Sequence, residues 1–117
     1  MLLPFTCLLL SQASELSSPS VPDIGSPPPM ILDRLGDHRR TINTSSEEAR
    51  KWFDQGLALM FGYNFDGAIR SYMQAIKADP ECAMAWWGVA YSSGPNQNNP
   101  MIESPKDEGS YAAAQKA

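Results

Sequence analysis

Few residues of this 117-residue chain could support a metal site, a disulfide framework or a catalytic set. There are two cysteines, Cys7 and Cys82, and a single histidine, His38. The cysteines lie in unlike surroundings without framework spacing, so no disulfide between them is expected. His38 lies among charged residues with no second ligand at metal spacing and is expected to be solvated. We therefore expect no metal, no cofactor and no catalytic residues, and an enzyme is the less favoured class.

The sequence also lacks an excess of basic residues. Nine Lys and Arg face thirteen Asp and Glu, for a net charge of −4. The basic residues form short pairs, Arg39–Arg40 and Arg50–Lys51, and not a stripe with interleaved aromatics. A nucleic-acid partner is therefore not expected.

Long apolar runs are missing as well. The run at residues 1–10 is far shorter than the ~20 residues of a membrane-spanning helix, and no later segment is longer. With the following Ser-Gln-Ala-Ser-Glu it partly fits a secretory signal, but no Lys or Arg precedes it and Pro4 interrupts it. Cytoplasmic location is favoured, and secretion is the alternative if residues 1–14 act as a signal peptide.

A change of composition divides the rest of the chain. Ser and Pro dominate residues 17–30, which predicts an extended spacer, since proline fixes φ and lacks an amide donor. A role as an SH3-type or WW-type ligand is the alternative, but no basic residue flanks the prolines. The prediction is an apolar leader at 1–16, a linker and lead-in at 17–43, and a helical region at 44–117. Three apolar residues of the lead-in are expected to lie on the first helix: Ile31, Leu32 and Leu35.

Apolar residues then recur at three-and-four spacing, which predicts helices. The first is expected over 46–61, with Ser45 and Glu48 as a capping box and a left-handed Gly62 at its end. Asn64 is expected to cap the second helix, antiparallel to the first. The predicted apolar faces of these two helices comprise Ala49, Trp52, Phe53, Gly56, Leu57 and Met60, then Phe65, Ala68, Ile69, Tyr72, Met73 and Ile76.

Two further helices are expected. Asp79 and Pro80 predict the start of the third, with Asp79 as its cap. Glycine, proline and asparagine predict a loop over 94–100. Ser104 predicts the start of a fourth helix that runs to the end of the chain.

The sequence nearly returns on itself after 34 residues, which indicates a helical repeat. The matching pairs are Ala49 and Ala83, Trp52 and Trp86, Phe53 and Trp87, and Gly56 and Ala90.

These residues resemble the tetratricopeptide repeat over roughly residues 49–117. The complete match is carried by Trp52, Gly56 and Leu59 on the first helix and by Ala68, Tyr72, Ala75 and Pro80 on and after the second. Gln55 departs from the pattern, which usually has an aliphatic residue there. The second repeat is weaker, since Ser93 stands where Leu59 stood. The resemblance implies an all-α array of one and a half to two repeats, apparently the opening part of a longer one.

The family resemblance also implies a function in protein–protein interaction, with a peptide or protein bound on the concave face of the first helices. Trp52, Tyr72 and Trp86 are expected in the core, while Phe53 and Trp87 could serve either the core or the groove. Two alternatives stay open: a truncated product with no independent activity, and self-association through an uncapped C-terminal end. By matched position, the groove candidates are Arg50, Phe53, Leu57, Met60, Met84, Trp87 and Tyr91.

Overall fold

The computed structural model describes residues 30–98, 100 and 106–117, and its regular structure there is helical, without a strand. The predicted all-α class is therefore confirmed. The expected leader, most of the linker and the predicted start of the fourth helix at Ser104 lie outside the described residues. The helices are α1 (Glu47–Phe61), α2 (Phe65–Ala78), α3 (Ala83–Ser93) and α4 (Lys106–Ala114).

The helices pack in chain order, each against the next. Helix α2 contacts both α1 and α3, while α4 packs on α3 and a smaller contact joins α1 to α3. The described part contains no helix that is both long and apolar enough to cross a membrane. The apolar residues that form the core come from the lead-in and all four helices: Ile42, Ala49, Phe53, Leu57, Met60, Ala68, Tyr72, Ala75, Ile76, Cys82, Ala85, Trp86, Val89 and Ala113.

The N-cap of helix α1 lies one residue later than predicted. Its N-cap is Ser46, whose Oγ accepts a hydrogen bond from the Ala49 amide at 3.1 Å, so the prediction of Ser45 was wrong. The reason lies before the helix. Thr44 Oγ1 accepts from the Ser46 amide at 3.1 Å and donates to the carboxylate of Asp79, which fixes Ser46 where the helix starts. Glu47 and Glu48 then occupy the first turn, where acidic side chains are favourable.

The turn between α1 and α2 uses a different residue from the predicted one. Gly62 has an ordinary φ of −80°, and Tyr63 takes the left-handed conformation at φ 61°. The Tyr63 amide donates to the Met60 carbonyl at 3.1 Å and the Asn64 amide to the Leu59 carbonyl at 2.9 Å. These two bonds form a Schellman motif, which needs its left-handed residue at position 63. Asn64 caps α2 as predicted, accepting from the Gly67 amide at 3.0 Å.

The third helix also begins later than predicted. Asp79 ends α2 and does not cap α3, whose N-cap is Cys82. The Asp79 carboxylate is bound by the Thr44 hydroxyl and by the Glu81 amide at 3.1 Å, while the Cys82 amide donates to the Asp79 carbonyl at 3.1 Å. Residues 80 and 81 therefore form a turn.

One tyrosine fills the space between the first three helices. Tyr72 on α2 is fully buried, and its ring centroid lies 5.5 Å from that of Phe53 on α1. A Cβ at Gly56 would lie 2.7 Å from the Tyr72 ring, and one at Gly88 on α3 would lie 2.6 Å from it. Both glycines are therefore needed for the close approach of α1 and α3 to this ring. The hydroxyl donates to Met60 Sδ at 3.7 Å, and burial raises the pKa of the Tyr72 phenol well above its usual value.

Helix α3 is apolar around most of its surface, and it packs against both α2 and α4. Trp86 lies in the core, and its indole Nε1 donates to the Pro80 carbonyl at 2.9 Å. Lys116 places its Nζ 4.8 Å from the centroid of the same ring. Ser110 on α4 donates to the Ala90 carbonyl at 2.8 Å and so joins α4 to α3.

The segment before α1, residues 30–45, lies along that helix and is held by the side chain of Gln55. Gln55 accepts from the Leu32 amide at 2.8 Å and donates to the Met30 carbonyl at 3.0 Å. It also donates at 3.0 Å to Ser71 Oγ of α2, which in turn donates to the Gly67 carbonyl. Gln55 therefore connects the lead-in to α1 and α2 by hydrogen bonds.

Candidate functional site: an aromatic cleft

A cleft lies at the end of the structure where α1 turns into α2 and α3 ends. Its volume is about 580 Å³. We call it the aromatic cleft and define it by its lining residues, which are Met60, Phe61, Tyr63, Phe65, Tyr91, Pro95, Asn96, Gln97 and Pro100.

Three of the lining rings are more exposed to solvent than is usual for large apolar side chains. Phe61 is 67% exposed, Tyr63 62% and Tyr91 57%. The Tyr63 and Phe65 rings meet edge to face at a centroid distance of 6.2 Å, and the Tyr91 ring lies 5.3 Å from that of Trp87. Grouped exposed aromatic side chains are typical of surfaces that bind another molecule, whereas single ones need no explanation.

The local sequence explains how these rings come to lie outside the core. Phe61 is the last residue of α1, one position beyond the buried Met60 and off the apolar face of the helix. Tyr63 lies in the turn after α1 and has a left-handed backbone, which costs an L-residue about 1–2 kcal/mol. Tyr91 lies in the last turn of α3 and is exposed at the end of the helix that borders the cleft.

The chemistry of the cleft is apolar with neutral polar groups. Among the described residues, its lining contains no Lys, Arg, His, Asp or Glu, and the polar groups there are the tyrosine hydroxyls and the amides of Asn96 and Gln97. Such a surface offers ring faces and hydrogen bonds to an uncharged ligand.

A second, smaller groove of about 350 Å³ lies between the lead-in and α1. It differs from the aromatic cleft in being lined by charged residues, among them Glu47, Arg50, Lys51 and Asp54. The lead-in closes one side of this groove. Arg39 pairs with Asp54 at 3.0 Å, and the Arg40 amide donates to the same carboxylate at 3.4 Å.

The seven residues predicted for a partner groove lie in three different environments. Phe53, Leu57 and Met60 are buried in the core, although Met60 also borders the aromatic cleft. Met84 and Trp87 are half-buried on α3, and Tyr91 is exposed in the cleft.

The seventh, Arg50, lies apart from the cleft, in the charged groove. Its guanidinium donates to the Thr44 carbonyl and to Glu47 at 3.3 Å. Of the seven, the structure thus brings Met60 and Tyr91 together in the aromatic cleft, with Trp87 against Tyr91. A role in partner binding stays a prediction for all seven.

Comparison with protein-family models, with curated proteins and with solved structures gave no match. The candidate site is therefore described from its own geometry. Sequence reasoning missed Phe61, Tyr63 and Phe65 as site residues because it looked for a groove along the first helices. The signal that could have found them is the density of aromatic residues around a turn, where polar residues are more usual.

Proposed function

We propose that this chain is a protein-interaction module of the tetratricopeptide type, which binds an extended, uncharged peptide segment in the aromatic cleft. The observation that carries the proposal is the group of three rings, each more than half exposed, around one cleft whose described lining residues are uncharged. Ring faces of this kind supply contact area with little loss of side-chain entropy, and an extended peptide can place alternate residues on them.

The packing of the hairpin supports the tetratricopeptide part of the proposal. Ala68 and Ala75 of α2 are fully buried, and Tyr72 lies between the glycines of α1 and α3. Small residues facing a large ring at these positions are what the resemblance implies. The groove that this family uses is formed by first helices, which here are α1 and α3, and Tyr91 lies at the end of α3 that borders the cleft.

Selection from a displayed library of random dodecapeptides, against the full chain, tests the proposal. We expect enriched peptides that bind with micromolar affinity and contain proline or aromatic residues but few charges. Tyr91→Ala should weaken the best peptide at least tenfold, because truncation of an aromatic anchor commonly costs about 2 kcal/mol or more. Tyr111→Ala is the matched control, since Tyr111 is also more than half exposed, lies on α4 and is not among the described lining residues of the cleft.

Tyr63→Gly gives a sharper result, because stability and binding should change in opposite directions. Glycine removes the left-handed strain at position 63 and should raise the free energy of unfolding by about 1 kcal/mol. The same change removes a ring from the cleft and should weaken the selected peptide. Peptide binding that is unaffected by both Tyr63→Gly and Tyr91→Ala would refute the cleft as the binding site.

A further inference from the structure

We infer that the charged groove between the lead-in and α1 is a second binding site, which takes a small aliphatic carboxylate with its head group on Lys51. The inference goes beyond the proposed function and does not rest on it, since the groove and the aromatic cleft are lined by different residues. Three observations carry it: the walls of the groove, the order of apolar and charged residues along it, and the pairing of its charged groups.

The two walls of the groove are held together by polar contacts. One wall is α1, whose lining residues recur at three-and-four spacing between positions 47 and 58. The lead-in forms the other wall, and Gln55 holds it by accepting from the Leu32 amide at 2.8 Å. The pair of Arg39 and Asp54 at 3.0 Å holds it at a second point. The volume of about 350 Å³ lies at the lower end of the ~300–1,000 Å³ of small-molecule sites, so the groove suits a small ligand.

Apolar and charged residues lie in different stretches of the groove. The apolar lining residues are Ile31, Leu32, Leu35 and Ala58. Ile31 is 50% exposed and Leu32 40%, so both retain apolar surface that a ligand can cover. Gln55 fixes Leu32 beside the second half of α1, whereas Lys51 lies one turn earlier. From Lys51 to Ala58 the helix rises ~10 Å. A molecule that lies along this stretch therefore meets an ammonium group first and apolar side chains after it.

The charged residues of the groove leave one cation without a partner. Among the described lining residues, three Lys and Arg stand against two Asp and Glu, which gives +1 on a chain of net charge −4. Asp54 pairs with Arg39. Glu47 pairs with Arg50 at 3.3 Å. The Lys51 ammonium group has no ion pair within the described part of the chain. One uncompensated positive charge matches a monoanion such as a carboxylate, whereas a dianionic phosphate would also face the two acidic side chains.

Titration of the ¹⁵N-labelled full chain with sodium octanoate, followed by amide chemical shifts, tests the inference. We expect saturable shifts at the amides of Lys51, Gln55 and Leu32, and none at Tyr63 in the aromatic cleft. Butyrate keeps the head group but has a shorter tail, and it should bind at least tenfold more weakly. Octan-1-ol keeps the tail without the charge, and it should bind about three- to fivefold more weakly. Shifts that do not saturate, or equal affinity for octanoate and either analogue, would overturn the inference.

Substitution of Lys51 tests the assignment of the head group. Lys51→Gln should weaken octanoate about three- to fivefold, since it removes a solvent-accessible ion pair. Lys77→Gln is the matched control: it makes the same change of charge at an exposed position of α2 that is not among the described lining residues, and it should leave the affinity unchanged. Unchanged affinity in Lys51→Gln, or an equal loss in Lys77→Gln, would overturn the role of Lys51.

A third variant tests the apolar stretch of the groove. Leu32→Ser removes apolar surface from the lead-in and should weaken octanoate at least threefold while leaving butyrate unchanged. The backbone amide that Gln55 binds is retained in this variant. An unchanged affinity for octanoate would contradict a tail that lies on the lead-in. Selected peptides should bind the Lys51→Gln and Leu32→Ser chains as they bind the wild type, so failure of this inference and failure of the proposed function are distinguishable.

Discussion

Gly88→Ala is expected to destabilise the fold even though alanine is the better helix former. A Cβ at position 88 would lie 2.6 Å from Cε2 and Cζ of Tyr72 and 2.7 Å from Cδ1. Cδ1 and Cε2 lie on opposite sides of the ring, so the added methyl group would overlap the ring face and not a flexible edge. The ring cannot move far, because Gly56 of α1 approaches it as closely from another direction.

The magnitude follows from two opposing contributions. Replacing glycine by alanine inside a helix is worth about 1 kcal/mol in favour of folding. Forcing an extra methyl group into a packed core costs about 1–3 kcal/mol, and the clamped ring places this site in the upper part of that range. We therefore expect a net loss of about 1–2 kcal/mol. For a domain of this size that loss lowers the melting temperature by roughly 5–10 °C.

The assay is urea unfolding of the full chain, followed by circular dichroism at 222 nm. Gly62→Ala is the matched control, since a Cβ there would meet its nearest atom, the Ala58 carbonyl oxygen, at an ordinary 3.4 Å. In a Tyr72→Leu background, Gly88→Ala should lose most of its cost, giving a coupling of about 1 kcal/mol. A Gly88→Ala chain as stable as wild type, or the absence of coupling to Tyr72, would refute this description of the core.

Three further predictions concern single side chains. Burial raises the pKa of the Tyr72 phenol in the folded chain, so the free energy of unfolding should fall above pH ~10, by at most ~1.4 kcal/mol per pH unit. Tyr72→Phe should remove this alkaline loss of stability, which unfolding measured from pH 8 to 11 checks. Gln55→Leu should leave the helices folded, because Ser71 Oγ keeps its bond to the Gly67 carbonyl, but it should speed hydrogen exchange of the Leu32 amide at least tenfold; unchanged exchange would contradict the role of Gln55 as the anchor of the lead-in. Asn64→Ala should cost about 1 kcal/mol in thermal unfolding through loss of the α2 cap, and Asn64→Gly distinctly less, with equal costs speaking against a capping role.

The helices themselves could be predicted because their apolar residues follow the helical period. Helix α1 lies within one residue of its predicted start and ends at the predicted residue, and Asn64 caps α2 as expected. These features depend on residues three or four positions apart. Local sequence contains all the information that they require.

The errors arose where a distant residue decides the local structure. Thr44 binds Asp79 across 35 positions, and this contact shifts the start of α1 to Ser46 and keeps Asp79 from capping α3. The pattern of hydrogen bonds in the turn places the left-handed residue at Tyr63, although glycine stands next to it. No rule based on residue type would have favoured tyrosine there.

The candidate site was predictable only in part, for the same reason. Tyr91 was expected at a groove and is exposed in the aromatic cleft, whereas Phe53 and Leu57 are covered by the packing of their neighbours. Burial of these two side chains depends on helices that lie far along the chain, which the apolar pattern of α1 alone does not show. Phe61 and Tyr63 could not be predicted as site residues from the sequence, because the cleft forms where the turn after α1 lies beside the end of α3.

The most direct measurement is the NMR chemical shift of the Gly88 α-protons in the full chain. If α3 packs on the hairpin through Tyr72, the α-proton that occupies the Cβ direction lies over the ring and should be shifted strongly upfield, with nuclear Overhauser contacts to the ring protons. Gly56 should show contacts to the same ring from α1. Random-coil shifts at Gly88 without these contacts would show that α3 does not pack on the hairpin, and the aromatic cleft would then lose the wall that Tyr91 provides.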